Sequence, residues 1–225
     1  MLPYCAAVPR TNPARRAALA DAAIGLLAAE GIHGLTHRAV EGAAGLPTGT
    51  AANYFRSREE LLVAAAERAV SLHLEDMGRI DSAVDVSSSP NPLAELIAVS
   101  LQEAVTASRE RYLAIFELQL EARRRPALAA ELARLSSVAG AITADEHRAL
   151  GLSVAPEAIP TLMALYGGVL FTLVTGPGGV EPDAIRRLAH AIVHGAVGAD
   201  ARGRRATGLE HSSSVLTDHS RTSTT

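Results

Sequence analysis

The stretch Thr36–Arg58, THRAVEGAAGLPTGTAANYFRSR, decides the fold. Thr36 has the hydroxyl needed to cap the unpaired N–H groups of a helix start. Ala39, Val40, Ala43 and Ala44 follow at helical spacing up to Gly45, which can take the left-handed conformation that closes a helix without a Cβ penalty. Leu46 and Pro47 make a turn, and a second short helix is expected from Thr48 to Tyr54. Phe55 then leads into Ser57-Arg58-Glu59-Glu60, a capping box with its serine at N-cap and its glutamate three residues on. A helix, a short glycine-containing turn and a second helix form the pattern of a helix-turn-helix.

Upstream, residues 1–11 look like a loose arm. Asn12-Pro13 is a cap followed by proline at the first helical position, and it predicts a helix to Glu30. Leu19, Ala23, Leu26 and Leu27 lie on one face of that helix, and Gly31 ends it. A three-helix head over 12–58 follows, with a thin core of Leu19, Ile24, Leu27, Leu35, Val40, Leu46, Phe55 and Leu62. Such a head needs the rest of the chain to hold it.

Downstream, the capping box opens a helix over 57–80, long enough to leave the head and enter a body spanning 59–199. Asp81 to Pro92 reads as a Ser- and Pro-rich loop. Further helices are expected from Pro92 to about Thr106, Arg109 to Arg125, Ala127 to Leu150, Pro160 to about Thr175, and after Pro182. Residues 211–225 are 9 of 15 Ser or Thr, a composition too polar to pack, so the tail 200–225 is expected to be disordered. No strand pattern or internal repeat emerges. The fold class is all-α: a helix-turn-helix head and a C-terminal bundle of about six helices.

The 225 residues suffice for a real core, and their 3% aromatic content with abundant alanine favours closely packed helices. Net charge is −3, but its distribution is uneven. Residues 1–58 sum to +3, residues 59–199 to −7 and the remainder to +1. A basic tip on an acidic body suits a DNA-reading head on a partner-binding domain. The single cysteine, Cys5, cannot form an internal disulfide. No signal-peptide pattern opens the chain, and the apolar run 162–174 is shorter than the ~20 residues that span a bilayer. A cytoplasmic protein that makes no use of a membrane is expected.

The chain resembles the tetracycline-repressor (TetR) family of bacterial transcription regulators. The resemblance is carried by Gly31, Leu35-Thr36, Ala44-Gly45-Leu46, Thr48-Gly49-Thr50 and the run Asn53-Tyr54-Phe55-Arg56-Ser57-Arg58-Glu59-Glu60-Leu61-Leu62. It implies that the helix Thr48–Tyr54 lies in the major groove. Thr48 and Thr50 would then meet base edges, Gly49 would allow close backbone approach, and Arg38 would reach a guanine. Thr36, His37, Asn53, Tyr54 and Arg58 would bind phosphates. Relatives usually carry a branched aliphatic and then a tyrosine where this chain has Ala51 and Ala52, which removes one phosphate-binding hydroxyl. Glu41 falls where a small buried residue is common, so it is expected to be at least partly exposed.

The last two helices are apolar on more than one face and carry several glycines and alanines, which suits either a monomer core or a partner helix. The resemblance favours a homodimer, with Leu162, Tyr166, Val169, Leu173, Leu188, Ile192, Val193 and Val197 at the interface. It also implies a pocket for a small-molecule effector, with Met77, Leu113, Phe116, Met163, Tyr166, Leu170 and Phe171 as candidate walls for an apolar or aromatic compound.

His190 and His194 have the i, i+4 spacing of two zinc ligands, but no third ligand stands near and HExxH is absent, so interface histidines are the better account. Glu117 and Glu121 share that spacing, and are expected to face Arg123-Arg124-Arg125 or solvent rather than perform acid–base chemistry. No phosphate loop, nucleophile elbow or activated cysteine is present in the sequence, and no cofactor or metal is expected. The expected function is a dimeric, ligand-responsive regulator, most simply a repressor of a near-palindromic double-stranded DNA operator. The competing possibility is a helical small-molecule-binding protein or enzyme that has lost DNA binding.

Overall fold

The computed structural model describes residues 12–83, 89–149, 151–152 and 154–196. The arm 1–11, the tail 200–225 and Val197 lie outside them. Among the described residues the fold is all-α, as expected, with no strand.

The helices, in chain order, are α1 (Pro13–Gly34), α2 (His37–Ala43), α3 (Thr50–Tyr54), α4 (Arg58–Ala83), α5 (Pro92–Val105), α6 (Arg109–Ala122), α7 (Pro126–Ala149) and α8 (Ile159–Thr175). A 3-10 turn, Pro156–Ala158, precedes α8, and a last helix, α9, covers 182–196.

Local chemistry explains the boundaries. The Asn12 side chain accepts hydrogen bonds from the N–H groups of Ala14 and Arg15, with Pro13 behind it at the first helical position. Gly31 interrupts α1 with φ of +66°, in the left-handed region that glycine enters without strain. Thr36 caps α2 by accepting from Ala39 N–H. Gly45 closes α2 with φ +64°, and Leu46 N–H reaches back to the Glu41 carbonyl, the six-to-one bond of a Schellman closure. Ser57 caps α4 through Glu60 N–H, while the Glu60 carboxylate turns back to Arg56 N–H at 2.7 Å.

The described residues fall into two compact units, one of α1–α4 with α6 and most of α7, the other of most of α5 with α8 and α9. In the first, α1 packs against α2, α4 and α6. Its core joins Leu19, Leu27, Leu35, Val40, Phe55, Leu61 and Leu62 to Ala114, Leu118, Ala122 and Leu128. The expected head core is therefore present, with Leu46 packed at its edge, but α6 and α7 complete it. Burying a leucine fully is worth about 1.5–3 kcal/mol, so Leu118 and Leu128 are substantial supports of the head.

In the second unit, Ile185, Ala189 and Ile192 of α9 are buried along with Leu162, Leu170, Leu173 and Val174 of α8. The Ser100 and Tyr166 hydroxyls share a 2.8 Å hydrogen bond.

Candidate nucleic-acid interface

The turn between α2 and α3 gives the head its exposed edge. Gly49 holds φ at +88° and stands at the N-cap of α3, where it has no side chain to offer. The helix expected from Thr48 consequently starts at Thr50, and Thr48 and Gly49 belong to the preceding turn. The missing cap is replaced from a distance. Glu41 is 4% exposed, and its carboxylate accepts from Ala51 N–H at 2.7 Å. The expectation that Glu41 would be partly exposed is thus overturned: α3 needs an acceptor for its first-turn N–H groups, and a buried carboxylate supplies it. The sequence signal was available, since a glycine at N-cap leaves donors for some other side chain to satisfy.

Thr36, Arg38, Thr48, Gly49 and Asn53 are exposed, and Arg38 has no ion pair among the described residues. Arg15 and Arg56 are also exposed and without an ion pair there, although neither is among the expected DNA contacts. Thr50 is half-buried and donates its hydroxyl proton to the Pro47 carbonyl at 2.6 Å, which leaves its oxygen as an acceptor. Tyr54 accepts from Asn12 N–H at 3.2 Å, tying the end of α3 to the start of α1, and keeps its own proton to donate.

Two expected phosphate ligands have other partners. His37 Nε2 lies 2.8 Å from the Phe55 carbonyl, and because a carbonyl only accepts, Nε2 carries the proton. Arg58 is half-buried, donating from Nε to the Leu35 carbonyl at 3.1 Å and from Nη2 to the Ile32 carbonyl. Its guanidinium is directed at the corner between α1 and α2, a tertiary bond that no local pattern announces.

The residues expected to line an effector pocket are divided between the units. Met77 is buried and Leu113 and Phe116 half-buried in the first, whereas Tyr166 and Leu170 belong to the second with Met163 and Phe171 on its surface. A cleft of about 310 Å³ opens in the first unit between α1, α4 and α6. Ile24, Leu72, Asp76, Arg79, Glu103, Ser108 and Arg111 are among its walls, and none of the expected pocket residues is. Arg111 and Arg79 both pair with the buried Asp76 carboxylate, which also accepts from Ser108 at 3.1 Å. Burial pushes Asp76 up, but the bonds from Arg79, Arg111 and Ser108 together outweigh it and hold the carboxyl below its usual range. Beside this group, burial and the Arg111 charge push His73 down, against a smaller upward pull from Asp76.

The expected dimer residues divide by phase. Leu162, Leu173, Ile192 and Val193 are buried within the single chain, and Tyr166, Val169 and Leu188 are half-buried. The large apolar residues that α8 leaves exposed are Ile159, Met163, Leu165 and Phe171, at 44%, 60%, 38% and 49%. By length and composition both α1 and the segment Pro156–Thr175 are apolar enough to cross a membrane. The apolar side of α1 is used in the core, while α8 keeps large apolar side chains exposed.

His190 lies 3.8 Å from a Glu95 oxygen, and both His190 and His194 are exposed. Among the described residues no cluster of three or more His, Cys, Asp or Glu is placed to hold a metal ion. Glu121 pairs with Arg125 at 2.6 Å and Arg124 at 3.6 Å, as expected, but Glu117 instead accepts from Ile32 N–H.

Residues 19–65 match the family model for bacterial regulatory proteins of the tetR family, and residues 88–199 match the tetracyclin repressor-like C-terminal domain. Among solved structures, the multidrug binding protein EbrR complexed with imidazole is 28% identical, with 85% of this chain and 97% of that one covered and a TM-score of 0.58. The ethidium complex of EbrR is also 28% identical over 79% of this chain and 98% of that one, with TM-score 0.58. A TetR-family member from Streptomyces coelicolor A3 is 27% identical over 80% of this chain and 98% of that one, with TM-score 0.59. No curated protein matches the sequence. With a helix-turn-helix whose outer edge is exposed, and with both halves of the family's architecture present in one chain, this protein is a transcriptional regulator belonging to the TetR family.

Proposed function

We propose that the protein is a homodimeric repressor that binds a near-palindromic duplex operator and leaves it when an aromatic small molecule binds. The observation that carries the DNA reading is the arrangement of α3. Its inner side is fixed by buried Ala51 and by the Tyr54–Asn12 bond, while Thr48, Asn53 and Arg38 are exposed around it. Residues 12–58 read the duplex, α4 joins them to the body 59–199, and the whole works in the cytoplasm as a regulator rather than an enzyme.

In this reading Thr50 accepts from a base-edge donor and packs its methyl on thymine, Thr48 bonds base edges, and Arg38 donates to guanine. Thr36, Asn53 and Tyr54 bind phosphates, joined by Arg15 and Arg56. His37 and Arg58 serve the interface by holding the turn and the α1–α2 corner. Ile159, Met163 and Phe171 of α8 meet the same face of a second copy, giving two heads on one duplex. The relative EbrR, complexed with ethidium, proflavin and malachite green, supports an aromatic effector.

Fluorescence anisotropy on the chain's own upstream DNA tests the DNA reading. Binding should be tighter than to random DNA and weaken steeply with salt. Arg38→Ala and Thr50→Val should change the preference among sequences more than the affinity for random DNA. Malachite green titrated into DNA-free protein by calorimetry tests the effector class. Equal affinity for upstream and random DNA, with the dye still bound, would favour a binding protein that has lost its operator.

A further inference from the structure

We propose that Glu117 is a positioning residue for the DNA-reading head, acting through Ile32. The kink at Gly31 interrupts the helical ladder of α1, and both backbone polar groups of the next residue are held by side chains. The Glu117 carboxylate, on α6, accepts from Ile32 N–H at 3.2 Å. Arg58, at the start of α4, donates to the Ile32 carbonyl and to the Leu35 carbonyl three residues on. The fit at this corner is close: a Cβ on Gly31 would stand 3.3 Å from the nearer Glu117 oxygen.

From that corner a sequence of bonds leads to the reading helix. Thr36 caps α2, α2 carries Glu41, and Glu41 holds Ala51 N–H in the first turn of α3. Every link pairs a donor with an acceptor within hydrogen-bond distance, so the direction of α2, and with it the placement of α3, depends on where Ile32 is held. A recognition surface needs its groups within about 0.5 Å of the productive geometry, and supporting hydrogen bonds are what keep them there. Glu117 lies in the span matched by the C-terminal family model, whereas Ile32 and Arg58 lie in that matched by the N-terminal one. The carboxylate thus fastens the reading module to a helix of the body.

This proposal rests on the DNA-reading assignment above, and its test separates the two. Amide hydrogen exchange at Ile32 is measured in DNA-free full-length protein for wild type, Glu117→Ala, Glu117→Gln and Glu117→Asp. Binding to the chain's own upstream DNA and to random DNA is measured below the unfolding transition of each variant. Glu117→Ala should speed Ile32 exchange and weaken upstream binding about tenfold, the scale of one lost charge-assisted bond, with random-DNA affinity within about twofold. Glu117→Gln keeps a carbonyl acceptor at the same reach and should stay within about threefold of wild type on both counts. Glu117→Asp withdraws the carboxylate by one methylene and should fall between, a second route should the alanine variant not fold.

Wild-type upstream affinity in Glu117→Ala would overturn the proposal. So would an equal loss on upstream and random DNA, since a merely structural role predicts that pattern. A wild-type protein without preference for its own DNA would reject the regulator assignment instead, and unchanged Ile32 exchange in Glu117→Ala would then reject the hold on Ile32 independently.

Discussion

Glu41 and Ala51 are joined by a 2.7 Å hydrogen bond in which a buried carboxylate serves as the missing cap of α3. Glycine at the N-cap gives the turn its left-handed residue but no acceptor, and the charge ten residues upstream makes up the deficit. Glu41→Ala leaves Ala51 N–H buried without a partner and should cost about 1–3 kcal/mol of unfolding free energy. Glu41→Gln should recover part of it. Urea denaturation followed by circular dichroism measures both, and a loss in Glu41→Ala below a few tenths of a kcal/mol would contradict the capping role.

The Asp76–Arg111 pair joins α4 to α6 with both side chains about nine-tenths buried. Removing one partner strands the other charge, so Asp76→Ala should destabilise the protein by about 3–5 kcal/mol. Because the native Asp76 carboxyl titrates below its ordinary value of 3.8, its contribution is present above that value and lost as pH falls through the lower native one. An acid-unfolding curve of Asp76→Asn should be flatter than wild type in that range.

His73 gives a second, separate pH dependence. Its ring stands edge-on to Tyr112, with Nδ1 3.2 Å from the phenol oxygen, close to Arg111. Since burial and Arg111 lower its native pKa, the unfolded chain takes up a proton first as pH drops below the ordinary imidazole value of 6.5. Stability should therefore decline from about that pH downward and level off once the native imidazole also protonates. Replacing His73 by Phe should remove this slope while leaving the Asp76 slope below pH 3.8 in place. Thermal midpoints from pH 8 to 3 distinguish the two.

Met163 and Phe171 lie about two turns apart on α8, and both are exposed. Met163→Glu with Phe171→Arg should turn the dimer into a monomer in analytical ultracentrifugation, with circular dichroism unchanged. Operator binding should weaken by more than tenfold, because two heads held together gain effective concentration on the second half-site. A wild-type protein that sediments as a monomer would remove the basis for a two-headed operator.

Features set by neighbours in sequence were legible from it. Asn12-Pro13, Thr36, Gly45 and Ser57 with Glu60 each satisfy or close a helix end within a few residues, and each stands where the pattern placed it. Contacts set by tertiary packing were not. Arg58 looks like any basic residue beside a DNA-reading helix, and only the folded corner shows it bonded to Ile32 and Leu35. For Glu41 the signal lies in Gly49, whose lack of a side chain leaves the first turn of α3 without a local cap. In α8, apolar side chains surround most of the helix, so periodicity offers no phase. Leu162 and Leu173 turn inward while Met163 and Phe171 turn out, a choice made by the packing of that unit.

The shared core has a practical corollary for anyone transplanting this regulator's specificity. Leu118, Ala122 and Leu128 come from beyond residue 100, yet they are buried in the same core as the head's own leucines. A fragment cut after α4 would expose that oily seam to water and should be prone to clumping. Grafting the reading edge onto another body calls for α6 and the start of α7 to travel with it.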